Sequence, residues 1–200
     1  MEETDIRLIS DLLEQMKKDQ STYSRILSSL DFRKGFDTLE WPLVQYILRR
    51  YNFGTQLRKW IEIFYTNVET AVLNNGFATN WFKPSSGVRQ GCPLTPFLFI
   101  LTVELMSNRI HQTDSVKGIV LFNNEIKLSQ FADDTNLFCA NVASVEAALA
   151  VVNQFGEIFG LKLNTEKTKA MWLGRWANKR DKPLNLKWVH CPTRFLGIFI

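Results

Sequence analysis

Two short runs of alternating apolar and polar side chains meet at an Asp-Asp pair, and this junction constrains the fold more than any other stretch. Ile126-Lys127-Leu128-Ser129-Gln130-Phe131-Ala132 has the two-residue period of a half-buried strand, and Thr135 to Ala140 reads as the returning strand. Asp133 and Asp134 then sit at the tip of an apolar hairpin. Two adjacent anions there repel each other and cost free energy unless a cation neutralises them. Oxygen donors of this kind select magnesium or manganese. Turn chemistry is the competing explanation, because Asp tolerates tight-turn dihedrals. The pair alone does not choose between them.

The rest of the chain narrows the choice. At 200 residues, 46% apolar and 22% charged, it has room for one domain or two small lobes and the balance of a soluble globular protein. Fifteen Phe and six Trp suit a packed core or base-stacking surfaces. Residues 161–200 carry nine Lys or Arg against Glu166 and Asp181, a net +7 in a chain that sums to +4. A basic end on a nearly neutral body points to a polyanionic partner.

Cys92, Cys139 and Cys191 are widely spaced and form no CxxC pair, so neither a zinc site nor a disulfide framework is expected, and no disulfide-linked partner. A reduced intracellular compartment, cytoplasm or nucleus, fits that usage. The acidic start Met1-Glu2-Glu3-Thr4-Asp5 is the opposite of a basic signal-peptide n-region. Leu94 to Met106 is the longest apolar stretch, but Glu104 interrupts it and it is too short to span a bilayer. It reads as a buried helix, and no membrane partner is expected.

Read for organisation, helices and strands alternate without repeats or linkers. Ile6 to Lys18 has a helical apolar face, and Ile26 to Phe32 is a short strand reaching Asp31. Leu39 to Tyr51 reads as a helix, with Asp37-Thr38-Leu39-Glu40 offering a capping box. A further helix covers Gln56 to Tyr65. Glu69 to Asn75 and Ala78 to Lys83 form a hairpin turning at Asn75-Gly76. A Gly-rich loop leads into a helix from Leu94 to Ile110. Gly118 to Phe122 and the strand before Phe131 flank a turn at Asn123-Asn124. Ser144 caps a helix with Val145, Ala148, Leu149, Val152, Phe155, Ile158 and Phe159 on one face, ending at Gly160. Short strands follow at Ala170 to Gly174 and Phe195 to Ile200. Antiparallel strands with helices covering one face make an α+β layer.

Asp31 closes the apolar run Ile26 to Leu30, about a hundred residues before the Asp-Asp hairpin. Three carboxylates from one strand end and one hairpin tip could converge on two divalent ions about 3.5–4 Å apart, the arrangement phosphoryl transfer uses. A single Asp, a Gly-rich loop and an Asp-Asp hairpin, in that order, resemble the palm of a reverse transcriptase. Ser86-Gly87-Val88-Arg89-Gln90-Gly91-Cys92-Pro93-Leu94-Thr95-Pro96-Phe97-Leu98-Phe99 is similar to the block that non-LTR, or LINE-type, retrotransposon enzymes carry between these carboxylates. Gly160-Leu161-Lys162-Leu163-Asn164-Thr165-Glu166-Lys167-Thr168 resembles their next block. Phe195-Leu196-Gly197-Ile198 looks like the start of their primer grip. The Arg-Gln-Gly-Cys-Pro-Leu wording of residues 89–94 favours LINE-type enzymes over intron maturases, retrons or telomerases.

The resemblance implies a polymerase palm, antiparallel sheet on one side and helices on the other. It implies residues 1–25 as the tail of the fingers, 26–190 as palm and 191–200 as the start of the primer grip. Asp31, Asp133 and Asp134 would hold two Mg²⁺ or Mn²⁺ ions, with Phe32 lending a backbone carbonyl. Phe36 would lie under the incoming sugar. Gln90 and Gly91 would meet the nucleotide or template backbone, and Gly87 and Gly91 would permit close approach for want of a Cβ. Lys167 would face the pyrophosphate leaving group. Arg89 would contact nucleic acid or pair with a carboxylate, and Phe195, Leu196 and Gly197 would grip the primer. Partners would be an RNA template, a DNA primer and dNTP.

Some features depart from the family pattern. Gly35 stands where the family usually has Ala, a change expected to loosen the turn after Asp31. The upstream fingers strands, the thumb and an endonuclease domain are missing from these 200 residues. Two further readings stay open: a catalytically silent nucleic-acid-binding remnant, and a two-metal nuclease, against which the Gln90 loop and Phe36 argue.

Overall fold

A computed structural model describes residues 25–132 and 134–190, residues 7, 11 and 14, and the backbone of 194–195 and 198–199. Arg7, Asp11 and Glu14 are helical and exposed, as the polar side of the predicted first helix requires. Asp133, Cys191, Leu196 and Gly197 fall outside the described residues.

Numbered in chain order, strand β1 (Arg25–Leu30) is the centre of a five-stranded sheet. It pairs antiparallel with β7 (Asp134–Cys139) on one side and β8 (Lys169–Leu173) on the other. Strand β6 (Leu128–Phe131) flanks β7, and β9 (Lys187–Trp188) closes the far edge. The β8–β9 pair is parallel, so the expected wholly antiparallel sheet has one exception. The chain from β8 returns to the same end through two short 3₁₀ turns, Gly174–Trp176 and Pro183–Asn185, before β9 begins.

Alternation along the strands divides the core into two layers. Ile26, Leu30, Leu137, Cys139, Ala170 and Trp172 pack with Phe99, Val103, Met106 and Ile110 of helix α4 (Thr95–Gln112) and with Val145, Ala148, Val152 and Phe155 of α5 (Val142–Phe159). Burying each Leu, Ile or Phe side chain contributes about 1.5–3 kcal/mol, so this layer is the main source of stability. On the opposite face Leu27, Phe138, Met171 and Leu173 meet Ile119 and Leu121. Those two belong to a hairpin of β4 (Ile119–Leu121) and β5 (Asn124–Ile126). A third cluster joins α2 (Trp41–Arg50) and α3 (Thr55–Tyr65) through Val44, Leu48, Ile61 and Tyr65, and adds Val88 and Leu98. Helix α5 is apolar and long enough to cross a membrane, but Val145, Ala148 and Val152 are 0% exposed within the core, which accounts for its composition.

Local chemistry moved several boundaries. The expected capping box before α2 does not form. Gly35–Thr38 is instead a short helix of its own, α1, and the Thr38 hydroxyl donates back to the Lys34 and Gly35 carbonyls. Helix α2 starts at Trp41, where Pro42 suits the first turn. Helix α5 is capped by Asn141, not Ser144: the Asn141 side chain accepts from the Ser144 N–H at 2.8 Å, while Ser144 Oγ accepts from the Lys117 N–H. Ile158, placed on the apolar face by periodicity, is 64% exposed. The hairpin turn expected at Asn123-Asn124 falls one residue earlier, with Phe122 and Asn123 left-handed and Asn124 already in strand. The Asn75-Gly76 hairpin is as predicted, with shorter strands β2 (Leu73–Asn74) and β3 (Phe77–Ala78). Strands β10 (Arg194–Phe195) and β11 (Ile198–Phe199) form the terminal hairpin.

Lys127 breaks the long strand expected before the Asp-Asp pair into β5 and β6. It is 8% exposed, and its Nζ donates to the His111 and Thr113 carbonyls at the end of α4. A cation there satisfies carbonyls that have no partner within the helix and opposes the negative end of the helix dipole.

Candidate active site

The β1–β7 ladder ends at the pair Leu30–Thr135, so the next residues on the two strands are Asp31 and Asp134. In the β6–β7 hairpin Asp134 also opposes Phe131. Strand pairing therefore brings a carboxylate from early in the chain beside the hairpin found a hundred residues later. Ala132 is left-handed, φ 52°, which allows the tight reversal at the tip. Asp134 is exposed and Asp31 half-buried. Among the described residues no group of three His, Cys, Asp or Glu converges as a metal site, and the third predicted carboxylate, Asp133, falls outside them. The two that are described give hard oxygen donors from adjacent strand ends, a set that fits a divalent cation of the magnesium class.

The segment after α5 clamps Asp31 from its other side. Gly160 ends that helix in the left-handed conformation, φ 75°, where a Cβ would come within 2.3 Å of the Thr38 carbonyl. The chain then runs antiparallel to the residues following β1. Arg33 N–H donates to the Lys162 carbonyl at 2.8 Å, Phe32 bridges Leu163, and Asn164 N–H donates to the Asp31 carbonyl at 2.7 Å. Asp31 N–H donates to Thr168 Oγ1, and that buried hydroxyl donates onward to the Asn164 carbonyl. The segments 31–33 and 162–168, far apart in the chain, are one hydrogen-bonded unit. The Phe32 ring packs half-buried against the helical layer. Lys167 is exposed on the turn, its N–H bonded to the Asn164 carbonyl.

Helix α1 carries Phe36, which stacks on Phe99 with ring centroids 4.4 Å apart and 30° between planes. Gly35 is fitted to the same ring: a Cβ there would stand 2.9 Å from Phe99 Cε2. Glycine at 35 thus closes the turn onto Phe99, where a loosened turn was expected.

The Gly-rich loop lies directly on α1. Gly87 N–H donates to the Leu39 carbonyl, Val88 N–H to the Phe36 carbonyl, and the Trp41 indole N–H to the Gly87 carbonyl. Gly87 has φ 95°, and a Cβ would meet the Asp37 carbonyl at 2.8 Å. Its missing side chain therefore serves packing between loop and helix, where approach to a ligand was expected. Gly91, φ 83°, has open space around it. Gln90 and Arg89 are exposed, and the Thr95 hydroxyl donates to the Arg89 carbonyl at 2.5 Å. A cleft of about 590 Å³ opens here, lined by Asp37, Trp41, Tyr65, Glu69, Arg89 and Gln90 among others. Burial raises the Tyr65 phenol, which stays neutral beside it. A hollow of about 460 Å³ between α2, α4 and α5 includes none of the predicted site residues.

Three polar features escaped sequence reasoning. Gln130 Nε2 donates to Thr135 Oγ1 at 2.8 Å, while its oxygen accepts from the Ser107 hydroxyl of α4, tying hairpin to helix just before the tip. Asn136 is 0% exposed, and neither amide atom finds a partner. It lies two residues after Asp134, on the same face of β7. Ser28 Oγ is likewise buried and unpaired. Sequence alone carries no signal for these, because Gln, Asn and Ser are unremarkable in strands until their neighbours are known.

A twisted sheet with carboxylates at the ends of its central strands, helices behind it and a glycine loop at its side is the palm of a nucleic-acid polymerase. The model of the reverse transcriptase (RNA-dependent DNA polymerase) family matches residues 3–200, and the chain belongs to that family. The Pol polyprotein of the type-2 retrotransposable element R2DM from Drosophila melanogaster is 30% identical over 141 residues, covering 70% of this chain and 13% of that protein. The transposon TX1 149 kDa protein of Xenopus laevis is 26% identical over 201 residues, 96% of this chain and 15% of that one. Both belong to transposable elements, the first of them a retrotransposable one, and the chain spans a small part of their length. Apo telomerase from Candida tropicalis superposes with TM-score 0.60 at 17% identity, over 85% of this chain and 35% of that one. Telomerase from Candida albicans, solved with the TWJ fragment of telomeric RNA, gives 0.60 at 14% over 90% and 31%. At such identities the likeness is one of fold.

Proposed function

We propose that the chain is the palm of a LINE-type RNA-directed DNA polymerase, joining a dNTP to a primer 3′-hydroxyl along an RNA template. The observation that carries this reading is the meeting of Asp31 and Asp134 at adjoining strand ends, with the Phe36–Gln90 unit folded against the same block. Asp31, Asp133 and Asp134 would hold two Mg²⁺ ions, with the Phe32 carbonyl as a further oxygen donor. When bound, the ions supply Lewis acidity at the reacting phosphate and its attacking and leaving oxygens. The protein's part is orientation. Strand pairing and the Thr168 clamp hold Asp31 in place, so the carboxylates need little reorganisation. Phe36, backed by Phe99, would form the floor under the sugar, and Gln90 and Gly91 would line the nucleotide's flank.

Lys167, on its exposed turn, would offset charge on the departing pyrophosphate. Arg89 would contact the nucleic-acid backbone, with Phe195, Leu196 and Gly197 at the primer terminus. RNA template, DNA primer and dNTP would be the ligands, inside the cell in cytoplasm or nucleus. Residues 1–25 would belong to the fingers and 191–200 to the primer grip.

Primer extension on an RNA template with magnesium tests the reading, comparing the wild type with Asp133→Ala and Asp31→Asn. Extension in the wild type and none in either variant supports it. Salt-sensitive RNA binding without extension would instead support a catalytically silent nucleic-acid-binding protein, a reading to which the basic segment 161–200 lends weight.

A further inference from the structure

Asp37 is the one acidic residue of the Asp31–Asp37 block left without a role. Its backbone is the anvil of the glycine loop: the Ser86 hydroxyl donates to the Asp37 carbonyl at 3.1 Å, and Gly87 lies too close to it for any Cβ. Three further hydrogen bonds, from Gly87 and Val88 N–H and the Trp41 indole, fix the loop as far as Val88. Beyond that point the Asp37 side chain takes over. Its Oδ1 accepts from Gln90 Nε2 at 3.4 Å. An ionised carboxylate can only accept, so the nitrogen end of the Gln90 amide must face Asp37 and its oxygen must face away. Both side chains are exposed, and neither is needed to fill the core.

We propose that Asp37 is a positioning residue for nucleotide binding, which sets the rotation of the Gln90 carboxamide so that Oε1 is the group offered to the incoming nucleotide. This rests on the polymerase reading above. A free Gln amide exchanges its oxygen and nitrogen ends by rotating about one bond, presenting acceptor and donor by turns. Pinning the nitrogen end commits the outer face to acceptance, which suits a sugar hydroxyl or a base N–H and disfavours an acceptor at the same place. The contact also joins Gln90 to the helix that bears Phe36, so the two sides of the nucleotide site are set by one short turn.

The test is RNA-templated primer extension with the dNTP KM measured for five proteins: wild type, Asp37→Leu, Asp37→Asn, Gln90→Ala and the Asp37→Leu/Gln90→Ala double variant. One hydrogen bond of this kind corresponds to a change of about 2- to 10-fold. Asp37→Leu should raise KM by that factor with kcat little changed. Asp37→Asn offers an acceptor and a donor at the same place, so it can meet the Gln90 amide by either end and should recover only part of the lower KM. In the Gln90→Ala background, Asp37→Leu should add nothing, because the residue acts only through Gln90. The inference is overturned if Asp37→Leu leaves KM unaltered, if its effect is equally large without Gln90, or if Asp37→Asn matches the wild type. A wild type that extends no primer sinks the polymerase reading and this inference with it. A wild type that extends, with an indifferent Asp37→Leu, sinks this inference alone.

Discussion

Asp31 and Thr168 are joined through a backbone N–H and a buried hydroxyl, 3.3 Å apart and 137 residues distant in sequence. Because Thr168 Oγ1 also donates to the Asn164 carbonyl, one side chain links the end of the central strand to the turn that follows α5. Replacing it with the near-isosteric Val leaves the Asp31 N–H without this partner. Thr168→Val should cost about 1–3 kcal/mol, read as a lower urea midpoint with an unchanged slope. An unaltered midpoint would mean the clamp is not stabilising.

Gly35 and Phe99 make a second checkable pair. A Cβ at 35 would stand 2.9 Å from a ring that is fully buried and stacked under Phe36. Overpacking of this kind costs about 1–3 kcal/mol, so Gly35→Ala should melt at a lower temperature. Phe99→Leu creates room at a cost of its own. The double variant should therefore lose less than the two single losses added together, and strict additivity would refute the contact.

Lys127 offers a third. Its ammonium group holds the last carbonyls of α4 from an almost fully buried position. Lys127→Met preserves the stem and removes the donors, and should destabilise by about 1–3 kcal/mol, measured by thermal unfolding. Hydrogen exchange should accelerate first in the last turn of α4 and the start of β6; protection unchanged there would count against the capping role.

Burial pushes the Cys139 thiol up to about 12 from an ordinary value of 9.0. The native state therefore keeps a proton that the unfolded chain releases above pH 9, so this site's stabilising contribution is complete below pH 9. It declines as pH rises from 9 towards 12. In a Cys92→Ser/Cys191→Ser background, a thiol reagent at pH 8 should label Cys139 only as fast as the protein unfolds. Rapid labelling of the native protein would contradict its burial.

Asn136 separates stability from function. Its amide is buried with both polar atoms unpaired, which costs free energy unless something not made of protein occupies the space. Asn136→Leu should leave the urea midpoint equal or higher. If the amide serves the neighbouring carboxylates, primer extension should fall in the same variant. A loss of stability would mean that the amide is satisfied in solution.

Much of the fold was legible because its signals are local. The hairpin 128–139 shows its period within a dozen residues, Asn75-Gly76 dictates its own turn, and Gly160 stops α5 where a left-handed residue is needed. Boundaries failed where a side chain had two local options. Asp37 and Thr38 fell inside a short helix of their own instead of boxing the start of the next, and Asn141 displaced Ser144 as a cap. Lys127 reads as the polar position of a strand until its distant partners, the end of α4, are known.

The candidate site divides in the same way. Residue type and chain order are legible in the linear pattern, where carboxylates follow apolar strands and glycines cluster in a loop. Their relations appear only in three dimensions: Asp31 and Asp134 end adjacent strands, residues 160–168 clamp the first of them, and Asp37 accepts from Gln90. Those relations depend on the register between strands far apart in the chain and on hydrogen bonds whose partners are separated by 53 to 137 residues. A linear pattern encodes a residue's period and its turn chemistry. It does not encode which distant backbone group will complete its hydrogen bonds, because closure of the fold settles that choice.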